Sequence, residues 1–506
     1  MEVIKNVPGE NQLSITTTKI GSVLPKKFTV YHPENLDLDK LLVKNPPLNI
    51  TLRNKEFIKD NIAYILHLIT YLPSVKKDYD YEENDGFVPV NSTKLQKSGI
   101  HDYKEYFEYL ESCNIILKDD SYSSGNYSKS IKFTDKYSFS KIKTYQIKKK
   151  TLIKAILKNS EETNSLTQEK YPYLTKWWLS DKLYFDYPVA KAYLELKWKR
   201  DKEAFFKKYK MTEIEYYKIQ QKKKKRDRLK EDVKYPTFQY NSALMLIDRL
   251  HRKQYILKID ATAGRFHTIF TQLPKWLKPF IKYDKKQLVG LDLTNSQPLL
   301  ATTLLDKEVF NSNPILIDTI RKYNPHHHTT ILVNLIEKIQ NELDVLEYKK
   351  IVSEGQYYEK FGIILQENGL IPEDIKETRG FAKTATFSSF FAPNFDYRYI
   401  EAMQHFKKTF PNVYSIFSEI KYAVKGTKKK DKVHSALSVA LQALEAELFL
   451  DKICKRINET NPNIPIFTIH DSVVTTVGYE DIVQQIIEEE TYNTIRIKPK
   501  INIEKW

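Results

Sequence analysis

The stretch Gln287-Leu-Val-Gly-Leu-Asp-Leu-Thr-Asn-Ser-Gln-Pro298 runs apolar into a single acid, Asp292, then turns polar before Leu299-Leu-Ala-Thr-Thr-Leu-Leu305. It reads as a strand that delivers a carboxylate at its end, followed by a helix. A second acid stands in similar company. In Ile464-Pro-Ile-Phe-Thr-Ile-His-Asp-Ser-Val-Val-Thr-Thr476, two β-rich apolar runs flank His470, Asp471 and Ser472 at an expected hairpin turn. Taken singly, such an aspartate is more often a turn residue. Taken as a pair on adjacent strands, the two carboxylates are what two Mg²⁺ ions about 3.5–4 Å apart require. Phosphoryl transfer asks mainly for positioning and charge stabilisation, which such a pair supplies.

Between the two acids lies Thr378-Arg-Gly-Phe-Ala-Lys-Thr-Ala-Thr-Phe-Ser-Ser-Phe-Phe391. Arg379, Lys383, Phe387 and Phe391 recur every four residues and share one helical face. Two cations followed by two rings suit a nucleoside triphosphate, with charge for the phosphates and an aromatic surface for the base. The alternative is an ordinary amphipathic helix with core phenylalanines and surface cations. That alternative places charge toward the core, because all four residues lie on one stripe.

The rest of the 506 residues sets the context. Lys and Arg number 81 against 64 Asp and Glu, a net charge of +17, so a polyanion such as nucleic acid is an expected partner. A plain solubility charge is the alternative. Two cysteines far apart, Cys113 and Cys454, argue against a disulfide framework or a thiolate zinc site. The first residues lack a signal-peptide pattern, and the most apolar stretch, Ile62 to Leu72, is too short to span a bilayer. A cytoplasmic protein with no membrane partner is therefore expected. Three adjacent histidines at 326–328 read as a surface loop rather than a metal site.

Along the chain, helical spacing runs from Asn54 to Leu72. A strand at Gly86–Thr93, a helix with Tyr103, Tyr106, Phe107 and Leu110 on one face, and a hairpin from Ile115 to Phe133 follow. That order resembles a winged helix, a module that docks on nucleic acid or on protein. Residues 141–256 read as helical and basic, with the run Gln221-Lys-Lys-Lys-Lys-Arg-Asp-Arg228 and Trp177, Trp178 and Trp198. The run is a solvated face or a clamp on a phosphate backbone. Helix and strand signals alternate after Tyr255, which points to an α+β body.

The three segments, in this order, resemble motifs A, B and C of family A DNA polymerases and the related single-subunit RNA polymerases. Motif A matches at Asp292, motif B at Arg379, Lys383, Phe387 and Phe391, and motif C at His470, Asp471 and Ser472. Thr262-Ala-Gly-Arg-Phe-His-Thr268 looks like the family's Thr-Gly-Arg segment, and Ser438-Val-Ala-Leu-Gln-Ala-Leu-Glu445 looks like its template-contacting helix. The resemblance covers about residues 258–478 and none of the N-terminal half. It implies a right-hand fold with an antiparallel palm sheet. The domains expected are an N-terminal module at 1–140, a thumb at 141–256, palm at 257–305 and 431–506, and fingers at 306–430. It further implies that Asp292 and Asp471 hold two Mg²⁺, with Mn²⁺ as a substitute. Arg379 and Lys383 would bind the triphosphate, and Lys383 would protonate the pyrophosphate. Phe387 and Phe391 would meet the nucleotide, while Arg265, Gln442 and His470 would touch primer and template.

The departures concern the sugar. Gln297 stands where DNA polymerases of the family carry an acid that excludes the ribose 2′-hydroxyl, and Ser472 resembles the RNA polymerases. Phe387 is the choice of the DNA polymerases. Ser388 and Ala392 stand where glycines are usual. The expected protein is a DNA-directed DNA polymerase of phage or mobile-element type, without a proofreading exonuclease, acting on DNA primer–template and nucleoside triphosphates. A replication partner would meet its N-terminal module. An RNA polymerase or primase-like enzyme and an inactive DNA-binding initiator are the alternatives.

Overall fold

The computed structural model describes residues 25–47, 58–75, 86–119, 130–216, 235–325, 328–372, 378–423 and 432–506. The basic run at 221–228, the middle of the expected hairpin at 120–129 and two of the three histidines at 326–328 lie outside them. The chain divides into two compact units, Met1–Thr163 with Phe185–Tyr255 and Asn164–Tyr184 with Ile256–Trp506. This partition runs differently from the expected modules. Most of 1–140 and 141–256 belongs to one unit, and Asn164–Tyr184 to the other.

The first unit begins with β1 (Phe28–Pro33), α1 (Ile58–Val75), β2 (Val88–Pro89), α2 (Ser92–Lys97) and α3 (Tyr103–Ser112). It continues with β3 (Ile116–Asp119), β4 (Ser130–Phe133) and β5 (Ile142–Ile147). Strands β1 and β5 pair antiparallel, and β2, β4 and β3 make a second small sheet in that order. Ile62, Ile65, Leu66 and Ile69 of α1 share a core with Tyr106, Phe107 and Leu110 of α3. Their 3.6-residue spacing forces those side chains to one side of each helix. Asp60 is buried beneath this core and accepts from the Tyr145 hydroxyl and the Lys148 and Lys149 amides, each at 2.7 Å. The unit ends in the packed helices α4 (Tyr187–Tyr209) and α5 (Pro236–His251), the second starting with proline at its first turn, where the missing N–H costs nothing.

The second unit is built on an antiparallel sheet. Its strands are β6 (Ile281–Tyr283), β7 (Lys286–Leu293), β8 (Phe467–Ile469), β9 (Ser472–Thr476) and β10 (Ile501–Lys505). The order is β8-β9-β7-β6, with Leu183–Phe185 at the far edge and β10 also paired to β7. Strand β7 is therefore central at its end, where Asp292 lies opposite Ser472 on one side and Asn502 on the other. Its residues Leu288 to Leu291 are all buried, as a strand flanked on both edges requires. Behind the sheet, Trp178, Phe467 and Trp506 pack on the Phe270 ring with centroids 4.4–5.2 Å away.

The helices that matter for the site are α6 (Ser296–Ala301), α7 (Tyr357–Glu367), α8 (Arg379–Phe391), α9 (Pro411–Ile420) and α10 (Ala436–Ala446). The helix of α10 continues to Thr460, widening to π geometry over Glu447–Cys454. The span Val433–Thr460 is long and apolar enough to cross a membrane, but 78% of its apolar window is buried inside the protein. Its apolarity is that of a core helix.

Candidate active site

Two local devices bring the aspartates together. The hairpin between β8 and β9 turns through His470 and Asp471, with Ile469 paired to Ser472. His470 takes the left-handed conformation at φ 51°, which a two-residue hairpin demands of a turn residue. The Leu293 amide then donates to the Asp471 carbonyl at 3.2 Å, locking the turn against the end of β7. Asp292, one residue earlier, stands opposite Ser472 in the β7–β9 register, and the Ser472 side chain favours its ionised form. The serine that follows the hairpin turn thus stands beside the acid near the end of β7.

Electrostatically the cluster is loaded with negative charge. Burial, then Glu445, then Asp292 push the Asp471 carboxyl up to about 7. Burial also raises Asp292, against the opposing pull of Ser472 and Lys278. Like charges held close in a low-dielectric place disfavour ionisation. Lys275 and Lys278 pair with Glu504 on β10 and stand close enough to moderate Asp292.

Glu445 completes the group, and sequence reasoning missed it. It lies on α10 with 2% of its surface exposed. One carboxylate oxygen pairs with the Arg265 guanidinium at 2.7 Å. The other accepts from the Gln297 amide at 2.6 Å and lies 3.5 Å from the Ser296 hydroxyl. Burial raises its pKa, offset first by Arg265 and then by Gln297. An acid closing the apolar run Val439-Ala-Leu-Gln-Ala-Leu444 was the available signal, since a lone charge on a core helix needs a partner.

Arg265 is aimed by a second acid not singled out from the sequence. Asp260 accepts from the amides of Thr262, Ala263 and Arg265 at 2.7–2.9 Å and pairs with the His267 ring at 3.1 Å. Burial opposes this ionisation, but His267 and those amides win and hold the carboxyl well below its ordinary value. Gly264 at φ 74° lets the chain turn within this knot, and nothing lies within 4 Å of where its Cβ would be. The His267 ring meets the His470 ring edge-on at 5.5 Å, tying the Arg265 hairpin to the Asp471 turn.

Helix α8 buries Ala382, Ala385, Thr386, Ser389 and Phe390. Arg379 and Lys383 are exposed, and Phe387 and Phe391 half-buried, along the flank of that stripe. The cation-and-ring face is therefore distinct from the core-facing one. Phe387 and Phe391 stack at 5.2 Å, and Lys383 sits 5.6 Å above Phe387. Arg379 pairs with Glu359 at 3.2 Å and lies 5.6 Å above the ring of Tyr358, whose hydroxyl is raised by burial and by the charge of Asp471. Tyr358 on α7 thus lies under Arg379 and within the electrostatic reach of Asp471. Tyr357 beside it meets Thr386 of α8 at 3.1 Å. Lys421, just past α9, is buried and donates to the carbonyls of Ser389 and Ala392 at 2.6 and 3.0 Å, closing the C-terminal end of α8.

Asp292, Asp471, Arg265, His470 and Gln297 form one connected cluster around Glu445. Arg379 joins it through Tyr358. Lys383, Phe387 and Phe391 contact one another along α8, which packs on α10. Gln442 is half-buried one turn before Glu445 on the same face of α10. Among the described residues, no three Asp, Glu, His or Cys side chains converge as a complete metal cage. The donor set nevertheless fits a hard divalent cation. Asp292 and Asp471 supply carboxylate oxygens that repel one another, and a cation that keeps several ligand positions for water and phosphate needs only one or two protein carboxylates.

No family model matches the chain, and no curated relative matches it. Among solved structures, it is similar to the polymerase domain of Pol1 from M. smegmatis, a complex with DNA primer–template and dNTP. The TM-score is 0.43 at 10% identity, over 70% of this chain and 73% of that one. The role of the site rests on its own residues.

Proposed function

We propose that the chain is a template-dependent nucleotidyltransferase, and specifically a DNA-directed DNA polymerase. The observation that carries this reading is the surplus of buried carboxylate at Asp292 near the end of β7 and Asp471 in the adjoining hairpin turn, beside a helix that presents Arg379, Lys383, Phe387 and Phe391 along one flank.

In this reading Asp292 and Asp471 hold divalent cations, Mg²⁺ or Mn²⁺, which when bound supply the charge that activates a primer 3′-oxygen and neutralises the leaving pyrophosphate. Arg379 and Lys383 bind the triphosphate, and Lys383 delivers a proton to the departing pyrophosphate oxygen. The stacked Phe387 and Phe391 offer a surface for base and sugar. His470, held in its turn, and Gln442 meet primer and template. Arg265 pairs with Glu445 through one nitrogen, and its guanidinium has further N–H groups with which to touch primer and template. The sheet and α10 act as palm, 306–430 as fingers and 141–256 as thumb, and the N-terminal module receives a replication partner.

A second reading, a single-subunit RNA polymerase or primase-like enzyme, has one observation in its favour. Ser472 and Gln297 are neutral at the two positions where the family's DNA polymerases carry acids, Ser472 lying opposite Asp292 and Gln297 donating to Glu445. Primer extension with Mg²⁺ on a DNA template separates the readings. Incorporation of deoxynucleotides is expected. Incorporation of ribonucleotides alone selects the second reading, and duplex binding without any incorporation refutes both.

A further inference from the structure

The helix Leu343–Ser353 and α7 follow one another in the chain, joined by Glu354, Gly355 and Gln356. Each buries one stripe, Val345, Tyr348 and Val352 in the first and Tyr357, Phe361 and Leu365 in the second. Both also line a cavity of about 400 Å³, with Leu343, Ile351, Ile363, Ile364 and Phe410 among its walls. The walls are held in place from behind. The buried Phe410 meets the rings of Tyr348 and Phe406 with centroids 5.4 and 5.5 Å away. Asp344 accepts from the backbone and side-chain nitrogens of Asn412, each at 2.8 Å, which fixes the start of the first helix.

The lips of this cavity are apolar and wet. Leu343 is 84% exposed, Ile363 52% and Leu346 47%. Leu343, Leu346 and Glu347 share a helix face by their spacing, as do Ile363, Ile364 and Glu367 on α7. Exposed large side chains gathered on two neighbouring helices around a cavity mark an interaction site. A small molecule inside the cavity would leave those lips in water, whereas a helix laid along the groove would cover them. Charge narrows the class of that helix. Glu342, Glu347 and Glu367 are exposed along the rim, while Lys349 and Lys360 are spent on Asp306 and Glu354. The exposed Lys350 is outnumbered there, in a chain whose net charge is +17. Nucleic-acid phosphates would be repelled by such a rim and could not cover the leucines and isoleucine.

We propose that the groove between the helix Leu343–Ser353 and α7 docks a basic amphipathic helix of a partner protein. That helix seats an apolar side chain in the cavity and sets lysines or arginines against Glu342, Glu347 and Glu367. The apolar seat supplies most of the affinity, and the acidic rim selects the partner's charge. The inference stands apart from the polymerase reading, because none of these residues belongs to the proposed active site.

Two fluorescein-labelled synthetic helices serve as probes of the full chain at physiological salt. Both carry leucines at helical spacing, one with lysines and the other with glutamates beside them. The chain's net positive charge repels the lysine peptide everywhere else, so its binding reports the groove. Fluorescence anisotropy is expected to show the lysine peptide binding. Leu343→Ser combined with Ile363→Ser should weaken it about tenfold or more, through the loss of two apolar contacts. Glu347→Lys should weaken it about threefold or more, through a reversed rim charge. All three side chains are exposed, so the variants should fold, and circular dichroism checks that they do. No binding of the lysine peptide up to about 1 mM overturns the proposal, as do changes under about twofold in every variant. Loss of the glutamate peptide in the same variants, with the lysine peptide unaffected, overturns it too. Weaker binding of a DNA duplex in the variants would give the groove to nucleic acid. A dimer in sedimentation equilibrium that the variants dissociate would give it to a second copy, and either result overturns the proposal.

Discussion

Each unit of this protein buries a carboxylate, and the two have opposite surroundings. Asp60 in the first unit is 4% exposed and receives three short hydrogen bonds, two from backbone amides and one from Tyr145. Lys149, whose amide is among those donors, is itself anchored to Asn61 and to the Gly99 carbonyl. Every charge there is answered, as burial of a charged group requires. In the second unit Asp471 faces two further acids, and its carboxyl is pushed up to about 7, first by burial and then by Glu445 and Asp292. Arg265 answers Glu445 but leaves the aspartate pair short of positive charge. A buried acid with matched donors is a structural fastening. A buried group of acids with a deficit of donors is where the proposed cations would find their ligands.

The largest effect expected from this contrast is at the aspartates. Asp292→Asn and Asp471→Asn should each lower primer extension by about 1,000-fold or more, because no neighbouring carboxylate can take over as a cation ligand. Each should also raise the melting temperature of the metal-free protein, since replacing one acid relieves the repulsion. A variant that kept full extension activity would remove the metal assignment.

Asp60→Ala should behave the other way. Leaving three buried donors unanswered should cost the first unit about 3 kcal/mol in urea unfolding, with incorporation by the folded protein unchanged. A stability change under about 0.5 kcal/mol would show that Asp60 is not the fastening described.

The smallest effect concerns Lys421, a buried cation answered by two carbonyls at the end of α8. Burial lowers its pKa to about 8. Between about 8 and the ordinary lysine value, the unfolded chain holds a proton there that the folded chain has released. The group therefore makes stability rise with pH across that window and contributes no slope below it. Lys421→Met should remove that slope, up to about 1.4 kcal/mol per pH unit, in unfolding curves compared at pH 7.5 and 9.5. Parallel curves for the two proteins would count against a depressed lysine.

Local pattern carried much of this. The strand ending at Asp292, the hairpin turning at His470 and Asp471, and the four-residue spacing from Arg379 to Phe391 each depend on neighbours close in sequence, so periodicity and turn chemistry exposed them. The helix α8 also showed which of its faces is buried only through Ala382, Ala385 and Phe390, a stripe the sequence pattern contained.

Partnership across long separations was beyond that reading. The Arg265 guanidinium meets Glu445, a residue 180 positions later that nothing local connects to it. Tyr358 lies under Arg379 because α7 packs on α8, and Lys421 closes α8 from beyond α9. The sequence by itself determined that two acids would end strands and that cations and rings would share a helix face, because strand and helix geometry repeat over a few residues. Only the tertiary structure decided that the acids would crowd a third, that Arg265 would answer it, and that the Gln297 amide would donate to it, because Coulomb forces and hydrogen bonds act through space between groups whose distance the chain alone does not set.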